Sequence, residues 1–362
     1  MFAEPRLAEL RRKMVDDGLK AVLLTGVSNM RYVTGFDDVF DPMINAACLV
    51  TPEIARFYTD HRYSEAAQNT AEGTPWTVRI PAESLYIDAC QELHEDGVDE
   101  LALETSVPYG RFKFISEQFL GSVRVVEHLV EGIRQIKEPA ELTRIEAAAT
   151  LTDRAFDHIL GIVRPGMSER EVALELEFFM RRNGSDDIAF DPIVASGPNS
   201  AKPHAGVSDR LLAEGEFLKM DFGARFEGYC SDMTRTVMIG KATDRHRQIH
   251  AAVLAANQAG RDAVRPGVPG KDVDAVARKV LEDLGFGEFF THGLGHGVGL
   301  DIHELPTVGP RGHDSLRSGT VATIEPGVYI PGFGGVRIED LVAVEETGGR
   351  VLSSSPRELI EI

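Results

Sequence analysis

The chain repeats part of itself. Val163-Arg164-Pro165-Gly166-Met167 returns 101 residues later as Val264-Arg265-Pro266-Gly267-Val268. Val172 and Val273, Phe179 and Val280, and Gly184 and Gly285 fall at the same offset. Each copy follows a long helical pattern and precedes a second helix. Before the first copy, Leu142, Ile145, Ala149, Phe156 and Leu160 keep an approximate helical period. Pro139 suits that helix's first turn, and Ser168 with Glu171 forms a capping box for the helix after the loop. Such a repeat predicts two similar halves, each two helices plus sheet, over residues 134–362.

Each copy leads towards a strand pair bearing two carboxylates. Leu218-Lys219-Met220-Asp221-Phe222 and Tyr229-Cys230-Ser231-Asp232-Met233-Thr234-Arg235-Thr236-Val237 read as strands, with Glu227-Gly228 where a tight connection belongs. A hairpin symmetric about Phe226/Glu227 sets Asp221 opposite Asp232. In the second copy, Val321 to Ile330 and Val336 to Val342 flank Pro331-Gly332-Phe333-Gly334-Gly335, so Glu325 and Glu339 stand equidistant from Gly332. Like charges opposed on adjacent strands repel. Buried carboxylates must be paired or must bind a cation. Solvated acidic turns are the bland alternative, and two pairs embedded in apolar strands argue against it.

The net charge of -19 disfavours nucleic-acid and anionic-membrane surfaces. Cys48, Cys90 and Cys230 are scattered and odd in number, which predicts reduced packing residues. The start shows no secretory pattern and no apolar run reaches the ~20 residues of a membrane span, so a cytoplasmic protein is expected. Residues 1–133 alternate strand-like and helical stretches and read as a separate α/β domain. Ala21 to Leu24, Ala46 to Val50, Arg56 to Thr59, Thr77 to Ile80 and Leu101 to Glu104 are its strands.

Before the second strand pair, Thr291-His292-Gly293-Leu294-Gly295-His296-Gly297-Val298-Gly299 strips side chains from alternate positions, as close approach to a site requires. A flexible loop and an anion-binding turn are the alternatives. His296 is the central candidate ligand, with His292 as a substitute. His303 and His204 are further candidates, although a lone histidine is usually a core or surface residue.

In this order and context, Asp221, Asp232, His296, Glu325 and Glu339 resemble the ligand set of the metallopeptidase family containing methionine aminopeptidase, Xaa-Pro aminopeptidase and prolidase. The resemblance covers about residues 135–362 and implies an α+β "pita-bread" catalytic domain with internal pseudo-two-fold duplication. The N-terminal α/β domain is similar to that of creatinases and prolidases, which points to the proline-specific branch. By resemblance, Asp221 binds one of two divalent ions, His296 and Glu325 the other, and Asp232 and Glu339 bridge them. Manganese, cobalt or zinc would suit these ligands. A bridging hydroxide is then the nucleophile, Glu325 the proton shuttle, and His204 and His303 steady the substrate carbonyl. Arg337 supports the metal carboxylates or forms a structural ion pair.

The resemblance implies an Xaa-Pro dipeptidase acting on short proline-containing peptides, as a homodimer. The alternatives are an Xaa-Pro aminopeptidase on longer peptides and a creatinase-like amidinohydrolase. One departure bears on the choice. Many prolidases resemble one another in carrying an arginine shortly after the second histidine, whereas here His303-Glu304-Leu305-Pro306-Thr307 has none before Arg311. The acidic stretch Phe36-Asp37-Asp38-Val39-Phe40-Asp41 reads as a solvated loop, or as one reaching a neighbouring subunit's substrate ammonium.

Overall fold

The computed structural model describes residues 3–37, 39–40 and 44–362, in two compact units, Met1–Arg134 and Gln135–Ile362. Asp38 and Asp41 lie outside the described residues. Asp37 is half-exposed, with the Arg31 guanidinium 3.4 Å away.

The first unit is a six-stranded sheet flanked by helices. Its strands lie in the order Thr77–Arg79, Ala55–Thr59, Ala46–Val50, Val22–Leu24, Glu100–Glu104 and Ser122–Val126. Only Ala46–Val50 runs antiparallel to its neighbours. The central strands are buried on both faces, which is why Ala21 to Leu24 and Ala46 to Val50 read as unbroken apolar runs. Ser122–Val126 was not foreseen. It is a largely exposed edge strand whose valines are interrupted by Arg124, so it shows neither a continuous apolar run nor a clean alternation.

The second unit contains the repeat. Helices Pro139–Leu160 and Glu169–Arg182 form one pair, and Asp244–Ala263 with Gly270–Asp283 the other. Matching backbone bonds join the two copies to their halves. Gly166 donates to Leu212 O at 2.9 Å and Gly267 to Leu316 O at 2.8 Å; the return bonds, Leu212 to Met167 and Leu316 to Val268, measure 2.8 and 2.9 Å. Both glycines hold φ near +90° (89° and 85°), which side chains resist.

Each helix pair covers its own sheet. Leu151, Phe156, Ile159, Leu176 and Met180 pack on Leu218, Met220, Phe222 and Val237. Ile249, Val253, Val273, Ala277 and Leu281 pack with Leu294, Ile324, Val336 and Val342. Strand Glu216–Phe222 alternates accordingly: Leu218, Met220 and Phe222 enter the first core, leaving Lys219 and Asp221 on the opposite face. Among the described residues no helix is long and apolar enough to cross a membrane.

Candidate metal centre

The two strand pairs reach their carboxylates differently. In the second, the ladders Val321–Ile324 with Asp340–Glu345 and Gly327–Ile330 with Gly334–Arg337 keep one register, from Ile324↔Asp340 to Gly327↔Arg337. That register brackets Glu325 and Glu339 opposite each other, as the symmetry about Gly332 requires. The first pair departs from expectation. Thr234, not Asp232, stands opposite Asp221. The turn is centred one residue later, on Glu227 and Gly228, because both hold positive φ (45° and 83°), as a two-residue hairpin turn demands. Asp221 and Asp232 therefore share a face as diagonal neighbours. A side chain at Gly223 would run into Ser231 O.

Asp232, His296 and Glu339 each offer a ligand atom within 4.8 Å of the others. His296 Nε2 lies 3.4 Å from Glu325 Oε1 and 3.6 Å from Asp232 Oδ2. His296 Nδ1 contacts Gly297 O at 3.1 Å, which assigns the proton to Nδ1 and leaves Nε2 free to coordinate. Asp221 lines the same cavity; one oxygen accepts from the Arg337 guanidinium, and among the described residues Oδ1 has no hydrogen-bond partner. Asp232 Oδ1 is likewise buried and unpartnered.

The electrostatics follow from this crowding. Burial, then Glu339, Asp221 and Glu325, pushes Asp232 well above the ordinary carboxylate range. Glu339 is raised by burial and then by Glu325 and Asp221. Glu325 is pushed up to about 7, chiefly by burial. Burial also holds the His296 imidazole below its usual value, in the neutral form that binds metal. Unpartnered buried carboxylate oxygens beside a neutral imidazole form a donor set that fits divalent cations, which would restore the charged form of each carboxylate.

Several supporting residues escaped the sequence reading. Arg337 donates to Thr234 Oγ1 at 2.9 Å and Tyr329 OH at 2.9 Å, and Thr234 Oγ1 donates to Glu339 Oε2 at 2.6 Å. Thr323 accepts from His296 N at 3.0 Å and donates to Glu325 Oε1 at 3.1 Å. Strand alternation could have found the two threonines, each two residues from a carboxylate. Tyr329 OH also meets His292 Nε2 at 2.9 Å, and His292 Nδ1 contacts Gly293 O at 2.7 Å, so His292 has both nitrogens engaged away from the carboxylates. The alternating glycines serve packing as much as access: a side chain at Gly297 would run into Leu305 O.

A cavity of about 910 Å³ opens on the centre. His204, His303 and Arg337 line it with all five candidate ligands. His303 stacks edge-on against His296, centroids 4.3 Å apart, and Glu304 beside it pairs with buried Lys137. Arg170 and Arg311 also stand in the wall. Arg170 is engaged by Asp209 at 2.7 Å, whereas among the described residues no ion pair holds Arg311.

Known proteins resemble this chain in sequence and in fold. The model of "Metallopeptidase family M24" matches residues 143–346, and that of "Creatinase/Prolidase N-terminal domain" residues 6–136. The chain is 35% identical over 350 residues to an Xaa-Pro dipeptidase of Pyrococcus horikoshii, covering 96% of each. An Xaa-Pro dipeptidase structure from Bacillus anthracis superposes with a TM-score of 0.94 at 38% identity, over 99% of this chain and 100% of that one. An X-Pro aminopeptidase structure from Thermotoga maritima gives 0.86 at 34% identity, over 97% and 100%.

Proposed function

Because the chain belongs to metallopeptidase family M24, with a creatinase-type N-terminal domain before a pita-bread catalytic domain, we propose that it is a dinuclear-metal Xaa-Pro dipeptidase. The observation that carries this reading is the convergence of Asp221, Asp232, His296, Glu325 and Glu339 in one cavity, with buried oxygens left unpartnered. Asp221 would hold one ion, His296 and Glu325 the other, and Asp232 and Glu339 both. Bound there, manganese, cobalt or zinc would supply Lewis-acid activation of water and of a scissile carbonyl.

The chain's own groups do the rest. His204 and His303 line the cavity, where an imidazole N–H can donate to the substrate carbonyl oxygen as it gains charge. The nitrogen of an Xaa-Pro bond carries no hydrogen, so proline departs only after that nitrogen receives a proton. Glu325, steadied at Oε1 by Thr323, takes a proton from water and passes it on. Arg337 keeps Asp221 oriented and, through Thr234, Glu339.

Arg311 favours a dipeptide. A guanidinium in the wall with no ion pair among the described residues can receive a free C-terminal carboxylate, compensating for the missing arginine after His303. The second reading is an Xaa-Pro aminopeptidase, favoured by a cavity at the upper end of the ~300–1,000 Å³ of small-molecule sites. Metal-reconstituted enzyme assayed on Xaa-Pro and Xaa-Pro-Yaa peptides decides. The dipeptidase reading expects faster cleavage of Xaa-Pro, with Arg311→Ala raising KM for dipeptides selectively. Cleavage of the longer peptides alone would establish the aminopeptidase.

A further inference from the structure

Lys219 is fully buried two residues before Asp221, on the same strand face. A desolvated ammonium is costly unless its donors are used, and among the described residues no carboxylate pairs with this one. Its Nζ instead donates to the carbonyls of Lys202 at 2.7 Å and Pro203 at 3.0 Å, and lies 5.0 Å from the Tyr329 ring centroid. Arg337 Nη1 adds a bond to Pro203 O at 3.2 Å. These carbonyls belong to the two residues before His204. Past the short helical turn Gly197–Ala201 the backbone there is neither helix nor strand, and His204, Ala205, Gly206 and Val207 all line the cavity.

We propose that Lys219 is a positioning residue that fixes His204 in the cavity wall by clamping the backbone immediately before it. The clamp couples two parts of the site through one strand: Asp221 at its end and, by way of Lys219, the histidine loop. The consequence for catalysis rests on the proposed role of His204, but the clamp itself does not. Lys219→Met keeps the side chain's bulk and removes its donors; Lys219→Arg retains donors.

Hydrogen exchange of the metal-free protein reads the clamp directly. The Lys202 amide, which donates to Asn199 O at 3.0 Å, should exchange about 10-fold faster in K219M and near wild type in K219R, with the Gly267 amide, which donates to Leu316 O at 2.8 Å, unchanged as internal control. In the metal-loaded enzyme, K219M should lower kcat about 10- to 100-fold with KM within about 3-fold, as a misplaced group does. K219R should recover most of the loss. Metal content should stay at the wild-type value. In the His204→Ala background, K219M should cost nothing further, since the two act as one unit. Unchanged exchange in K219M overturns the proposal, as does a full additional kcat loss in the double variant or a loss of metal. Wild-type kcat in H204A would refute the assigned role of His204 while leaving the exchange result to judge the clamp.

Discussion

The two halves of the second unit share a frame and differ in what they hang on it. At the loop the copies match bond for bond, and both following helices run 14 residues. Inside the frame the chemistry diverges. The first half anchors its strands with Thr152, whose hydroxyl meets Ser231 Oγ at 2.6 Å and accepts from Ala224 N at 3.0 Å, just beside Asp232. The second half uses Asn257, fully buried, which donates to Ile324 O at 3.0 Å and Ile338 O at 3.1 Å, the residues preceding Glu325 and Glu339. At the 101-residue offset these anchors are not equivalent: Val253 stands for Thr152 and Phe156 for Asn257. The helix after each loop differs as well. Asp274 and Arg278 tie down Leu294 N and the carbonyls of Phe290 and His292, whereas their counterparts Ala173 and Glu177 line the cavity. A duplicated scaffold has thus kept its backbone geometry while one copy's helix holds a histidine loop and the other's walls the cavity.

If the halves contribute equally to the centre, Asp232→Asn and Glu339→Gln should each lower kcat/KM about 10³-fold, the several kcal/mol expected of a lost ligand. Steady-state kinetics on an Xaa-Pro dipeptide checks this, and one variant retaining wild-type activity would break the symmetry. Next in size is the anchor. Asn257→Leu strands two buried carbonyls and should cost about 4 kcal/mol in urea unfolding, against about 1–2 kcal/mol for Thr152→Val.

These anchors show where sequence reading stops. The repeat, the four carboxylates and the register about Gly332 were legible because they depend on local spacing. Asn257, Thr152 and Lys219 were not, since each acts through bonds to residues 16 to 81 positions away that no period reveals. The diagonal offset of Asp221 and Asp232 turned on which two residues take positive φ, and Glu227 gives no glycine-like signal. Arg311, eight residues after His303, reaches the cavity wall through the fold and not through any local spacing.

A third difference is pH-dependent. His250 stands where the first half has Ala149, and burial lowers it from 6.5 to about 4, with Glu358 opposing. A histidine depressed on folding contributes stability above its unfolded pKa and loses it as pH falls through the folded one. Unfolding free energy should therefore drop by about 3 kcal/mol between pH 6.5 and 4 from this residue. His250→Ala should flatten that slope in urea titrations. The smallest effect concerns caps. Ser168 closes a capping box with Glu171, while Pro269 in the second copy has no side-chain cap. Ser168→Ala should cost about 1 kcal/mol, with no counterpart in the other half.

The central claim is that carboxylates from both halves share one pair of cations. Native mass spectrometry of the purified chain with added Mn²⁺ tests it directly, on wild type and on Asp232→Ala and Glu339→Ala. Two ions per chain, with weakened uptake of both in either variant, is the result the shared arrangement requires. Two ions retained at wild-type affinity in either variant would contradict it.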